Sequence, residues 1–162
     1  MMKNTYSDLA DFGKKLIYNT DLDDGLVIIS EYLKKLTGAI RCSIFVHNKE
    51  DKMLWTILAN GVEKIVVPDN KGIVGHAFTS KNELIENDVE GNPHFLKEID
   101  KNSGYQTINM LVCPIYDSRN NIIGIVQLIN KVDGFTDKDM QFIKVIIRFI
   151  STYIEVALVS KK

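Results

Sequence analysis

The side chains with nucleophilic or metal-binding capacity are few and far apart. Cys42 and Cys113 are the two cysteines in 162 residues, and each lies inside an apolar, strand-like segment. Neither a disulfide framework nor a thiolate metal site is supported, and both read as buried, reduced thiols. His47, His76 and His94 show no metal-ligand spacing, and no serine sits in a nucleophile elbow. These patterns point away from catalysis and towards binding. The run Lys71-Gly72-Ile73-Val74-Gly75-His76 reads as a glycine turn opening a short helix, whose free N–H groups at 72–74 favour an anion. Ser43 is a distinctly polar position in the middle of an apolar strand. The pair Asn130-Lys131, followed by Phe135 and Asp139, closes another apolar run and leads into a helix start.

Positioning these groups takes an ordered set of elements. Apolar residues recur at helical spacing over 7–18 and 22–36, where Leu26, Ile29, Leu33 and Leu36 fall three or four apart. Asp21 or Asp23 can cap the second helix, and Gly38 follows its end. The strand at 41–47 turns Cys42, Ile44 and Val46 one way and Ser43, Phe45 and His47 the other. Segments 52–58 and 64–67 read as further strands joined by the turn Ala59-Asn60-Gly61. A strand at 83–86 and a helical turn started by Pro93, with Phe95, Leu96 and Ile99 on one side, lie in or beside the connection 79–106, which is long enough to cover a site. A hairpin of long strands then runs from 104 to 131 with a polar turn at 117–121.

The last helix, 137–160, begins at Thr136 or Asp137. Its polar residues Lys144, Arg148, Ser151 or Thr152 and Glu155 form a narrow stripe on an otherwise apolar surface. Such a helix needs a helical partner besides the sheet, and both the N-terminal helices and a second subunit are expected to supply one. If Ile150 and Ile154 face that subunit, replacing either by Lys yields a soluble monomer; in the core, the same change costs folding. Strands cluster between flanking helices, which argues for an α+β fold with an antiparallel sheet.

Composition sets outer bounds. A length of 162 residues with 45% hydrophobic content suits one domain over 1–162, with 1–21 as a helical extension. The formal net charge is −1 with Lys and Arg scattered, which gives no electrostatic reason to expect nucleic acid or an anionic membrane. No signal-peptide core or membrane span is evident, so a soluble, cytoplasmic protein is expected.

Several separated motifs, in order, carry a family resemblance. They include Arg41-Cys42-Ser43, the Lys71 to His76 run, Asn92-Pro93-His94-Phe95 leading to Asp100, and Ser103-Gly104-Tyr105-Gln106-Thr107-Ile108-Asn109. Pro114-Ile115, Ile123-Gly124-Ile125-Val126-Gln127-Leu128 and Asn130-Lys131 complete the set. Over roughly 22–158 the chain resembles a GAF domain of the kind found in cyclic-nucleotide phosphodiesterases and certain adenylyl cyclases. The resemblance implies a central antiparallel sheet, the terminal helices on one face, and a lid over a pocket on the other. It implies ligand contacts from Ser43 and Gln127 on the floor, backbone N–H groups of Ile73 and Val74, and Asp100, Ser103 and Thr107 on the lid side. Asn130, Lys131, Phe135 and Asp139 match the family's nucleotide-binding signature, in which Lys131 and Asp139 would form an ion pair bracing the last strand against the terminal helix.

The departures from the family are specific. Met140 stands where a Glu is expected, and Leu58 and Ala59 stand where ligand-binding relatives carry a stacking aromatic and an acidic residue. Stacking contributes on the order of 1–3 kcal/mol per base, and Phe45, Trp55 and Tyr105 are the aromatics available to replace it. A cyclic phosphate needs only amides and hydroxyls, which fits a chain without a basic cluster. GAF folds also host free methionine-R-sulfoxide reductases and bilin carriers, but the lid cysteine that each needs is absent. The expectation is therefore not an enzyme, with no metal and no cofactor beyond a bound small molecule such as a cyclic nucleotide. It is either a ligand-sensing regulatory domain, homodimeric through its terminal helices and attached to an output module, or a ligandless dimerisation module with a filled pocket.

Overall fold

The computed structural model describes residues 2–18, 21–59 and 64–160. Two helices come first, α1 (Met2–Tyr18) and α2 (Leu22–Thr37), then β1 (Arg41–Asn48), β2 (Met53–Ala59) and β3 (Val66–Pro68). A connecting region follows, with α3 (Gly72–Ser80), β4 (Leu84–Glu86), a 3-10 turn at Val89–Gly91 and α4 (Lys97–Ser103). The chain closes with β5 (Met110–Tyr116), β6 (Ile122–Ile129) and α5 (Asp137–Ser160). All neighbouring strands are antiparallel in one 6-stranded sheet ordered β3-β2-β1-β6-β5-β4, which makes the fold α+β.

Local chemistry explains the element ends. Asp21 caps α2 by accepting from the Asp24 N–H at 3.0 Å, and Gly38 ends it at φ 83° while its N–H reaches the Lys34 carbonyl. Thr136 and Asp139 close the start of α5 reciprocally: Asp139 N–H donates to Thr136 Oγ1 and Thr136 N–H to Asp139 Oδ2. α4 begins at Lys97, later than Pro93 suggests. The Asn92 side chain holds the His94 N–H at 2.8 Å and its carbonyl holds the Phe95 N–H at 3.2 Å, so a turn occupies the place of the first helical residues. β3 is likewise shorter than 64–67, and a register shift beside Ile44 and Phe45 interrupts the β1–β2 ladder. Apart from Ala59, the expected turn at 59–61 lies outside the described residues.

The sheet separates two apolar clusters. Towards α1, α2 and α5 it presents Cys42, Ile44, Leu111, Cys113, Val126 and Leu128, packed with Leu26, Ile29, Leu33 and Ile143 among others. Towards α3 and α4 it presents Phe45, Leu54, Met110, Val112 and Ile125, packed with Ile73, Val74 and Ala77. β6 approaches β1 so closely at Gly124 that a Cβ there would lie 2.2 Å from the Phe45 carbonyl oxygen.

α5 divides its apolar surface between inside and outside. Ile150 and Ile154 are fully buried in the core, so they do not face a second subunit. Because α2 and the sheet cover this face of α5, the residues left outside are others: Phe142, Val145, Phe149, Val156 and Val159 are all exposed. Among the described residues no helix is long and apolar enough to cross a membrane.

Candidate functional site

The pairing of β1 with β6 sets Ser43 opposite Gln127 on the face away from the terminal helices. Above them the connecting region leaves a cavity of about 590 Å³, within the size range of small-molecule sites. Arg41, Ser43, Phe45, Met110 and Gln127 line it from the sheet, and Phe95, Leu96, Ile99, Asp100, Tyr105 and Thr107 from the lid. Ser43 is 7% exposed, and its hydroxyl has no hydrogen-bond partner among the described residues. Gln127 is half-buried and donates to the Met110 thioether at 3.5 Å, a weak acceptor. The floor thus carries polar groups with unused hydrogen-bonding capacity.

One wall is the start of α3. Its ladder begins with the Gly75 N–H bonded to the Lys71 carbonyl at 3.0 Å, so the N–H groups of Gly72, Ile73 and Val74 precede it. The side chains of Ile73 and Val74 are buried in the lid-side cluster. Gly72 has φ 73°, and the Leu96 methyl would lie 3.1 Å from a Cβ at that position, so only glycine lets α4's approach pack this closely.

On the lid, Asp100 and Thr107 hold each other. Asp100 accepts from the Thr107 N–H at 2.6 Å and from its hydroxyl at 2.8 Å, so both line the cavity with polar atoms already engaged. The rings of His76 and His94 stack at 3.9 Å, tying α3 to the turn before α4. The side chains of Ser103 and Leu58 lie outside the described residues, so their expected contacts receive no structural account.

Asn130 joins the lid to the sheet. At φ 63° its side chain accepts from the Ile108 N–H at 2.7 Å and donates to the Tyr105 hydroxyl and the Gln106 carbonyl. Lys131 Nζ meets Asp139 Oδ2 at 2.5 Å, linking the end of β6 to the start of α5. Phe135 is buried in the core, and its peptide groups on both sides bond to the Asn87 amide. None of Asn130, Lys131, Phe135 and Asp139 lines the cavity. These residues fasten the cavity's frame.

Charge departs from the sequence expectation. Arg41, Lys64 and Lys71 all line the cavity, and none of them makes an ion pair among the described residues. The absence of a basic cluster, read from Lys and Arg scattered along the chain, is overturned by folding. Arg41 shares the parity of Ser43 and Phe45, and so faces the cavity with them. That signal was available in the strand's alternation; the approach of Lys64 and Lys71 depends on where β3 and α3 pack. Arg41 lies over the Tyr105 ring at 3.6 Å from its centroid. Trp55 does not line the cavity, and its ring carries Lys64 at 4.4 Å. Among the described residues, Phe45 and Phe95 are the lining aromatics without a cation on them.

The cysteines belong to the opposite face. Cys42 and Cys113 sit in the helix-side core, where burial pushes each thiol up to about 12. Among the described residues no group of His, Cys, Asp or Glu is placed to hold a metal ion.

A model of the GAF domain family matches residues 21–154. Among solved structures, the GAF domain of a phosphoenolpyruvate-protein phosphotransferase from Coxiella burnetii is similar at TM-score 0.85 and 15% identity, covering 98% of this chain and 97% of that one. A free methionine-R-sulfoxide reductase from Neisseria meningitidis, in complex with its substrate, is similar at TM-score 0.78 and 15% identity, covering 94% and 89%. The GAF domain/HD domain protein from Geobacter sulfurreducens is similar at TM-score 0.70 and 14% identity, covering 86% and 95%. At these identities the likeness concerns the fold. Because the family match runs from the cap of α2 into the last turns of α5, taking in the whole sheet and the lid, the chain belongs to the GAF domain family.

Proposed function

We propose that this chain is a small-molecule-sensing regulatory domain whose ligand site is the cavity between sheet and lid. The observation that carries the reading is about 590 Å³ of space between sheet and lid, with the Ser43 hydroxyl on its floor unpartnered among the described residues. A polar group that faces open space can exchange its bond to water for one to a ligand. The same open volume weighs against a ligandless module whose side chains fill the pocket. A cyclic nucleotide is one ligand to test, with Phe45 as base contact and Ser43, Gln127 and the N–H groups opening α3 as polar contacts. Thiol catalysis has no support in the cavity, since both cysteines lie across the sheet.

The route from ligand to output runs through covalent neighbours and short bonds. Asp100 holds Thr107, Asn130 holds the segment 105–108, and Lys131 holds Asp139 in the first turn of α5. A ligand that prefers one lid position therefore biases the seating of α5, to the extent of its differential affinity. The exposed apolar residues 142, 145, 149, 156 and 159 of α5 follow alternating steps of three and four when Thr152 is included, the spacing of a coiled-coil seam. A homodimer in the cytoplasm, joined along this seam and passing the signal to an output module, completes the reading.

The test is a thermal-shift screen of the purified protein against cyclic nucleotides and small metabolites. At 100 times Kd a bound compound stabilises by about 2.7 kcal/mol, which is readily seen as a rise in Tm. If no compound raises Tm, the sensing reading fails and the ligandless module takes its place.

A further inference from the structure

We propose that the ligand is an organic anion, with its acidic group directed to Arg41 and an apolar or aromatic body over Phe45. The inference rests on the reading of the cavity as the ligand site, and it adds the chemical class. Three cations, Arg41, Lys64 and Lys71, line the cavity, and none is ion-paired among the described residues. The lining carboxylate, Asp100, already accepts both the N–H and the hydroxyl of Thr107. The described lining is therefore positive, in a chain whose formal net charge is −1.

Arg41 is the most constrained of the three. It is half-buried at the start of β1 with its guanidinium over the Tyr105 ring, which is itself tethered through its hydroxyl to Asn130. A guanidinium held this way presents its N–H groups in a fixed plane suited to a carboxylate or phosphate. Stacking on an aromatic face satisfies part of its charge without using those donors. Beyond Arg41 the floor continues with the unpartnered Ser43 hydroxyl and the Gln127 amide, then the Phe45 ring, giving the order acid, polar linker, apolar body. The same order is open to a carboxylate and to a phosphate ester, and it disfavours a cationic ligand.

Matched pairs that differ in the acidic group test this: benzoate against benzamide, indole-3-acetate against indole-3-acetamide, and cyclic AMP against adenosine. Affinity is read by calorimetry, and position by amide NMR shifts at Ser43, Val74 and Gln127. The expected result is at least tenfold tighter binding of one or more acids than of the matched neutral compound. That preference should be lost in Arg41→Gln and weakened in Lys71→Gln, with Tm and the NMR spectrum of each free variant showing the fold kept. Should Arg41→Gln fail to fold, Lys71→Gln and the fall of affinity with added salt carry the test. A neutral compound that binds in the cavity as tightly as its acid overturns the anion inference and leaves the sensing reading standing. No binding by any compound overturns both.

Discussion

At the scale of single residues, the two faces of the sheet have opposite chemistry, and the helix-side face gives a measurement. Cys42 and Cys113 are pushed from an ordinary value of 9.0 to about 12 by burial. A thiol raised on folding contributes stability fully present below its unfolded pKa and lost as pH rises from about 9 towards 12. Unfolding titrations from pH 8 to 11 should show a steeper fall for the native chain than for Cys42→Ala/Cys113→Ala; equal slopes would contradict the burial argument. Thiol reagents at pH 8 should label neither cysteine until the protein is unfolded. Gly124 gives a prediction of another kind: Gly124→Ala sets a methyl 2.2 Å from the Phe45 carbonyl and should cost about 2 kcal/mol or more in denaturant unfolding. Period-two alternation made much of this face legible, since Cys42 and Ile44 against Ser43 and Phe45 follows from counting along β1. Arg41 obeyed the same count, but its role needed the knowledge that Lys64 and Lys71 arrive from other elements.

Elements converge on the junction of β6, the lid and α5. Asn130 combines a left-handed backbone with bonds to Tyr105, Gln106 and Ile108. Asn130→Gly keeps the backbone and removes the bonds, so hydrogen exchange at 105–109 should quicken while β5 and β6 stay protected. Asn130→Ala should add roughly 1 kcal/mol of backbone cost to that. The Lys131–Asp139 pair is partly buried, at 23% and 10% side-chain exposure. A double-mutant cycle with Lys131→Met and Asp139→Asn should return a coupling of about 1–2 kcal/mol. Sequence spacing indicated both elements but not the start of α4, because the turn around Asn92 is made by one side chain capturing an N–H two residues on. Likewise the register shift in β2 depends on pairing across strands, which no local pattern records.

For the whole molecule, the division of α5 between a buried and an exposed face sets which of its residues the proposed dimer seam can use. The sequence showed a helix apolar on most sides but not which residues the sheet and α2 would claim: Ile150 and Ile154 went inside, and Phe149, 69% exposed, went outside. Phe149→Glu should keep the chain folded and convert a dimer to a monomer in light scattering. Ile150→Lys should instead unfold the chain by several kcal/mol. A monomer at all concentrations in the unaltered protein would rule out the seam. Whether the cavity holds a small molecule is best decided by native mass spectrometry. The protein is incubated with a fractionated metabolite extract beside a Ser43→Met variant that fills the floor. The expected result is a discrete small-molecule adduct on the unaltered protein, absent from a folded Ser43→Met. No adduct, or one of equal strength on both proteins, would contradict the assignment of the cavity as the ligand site.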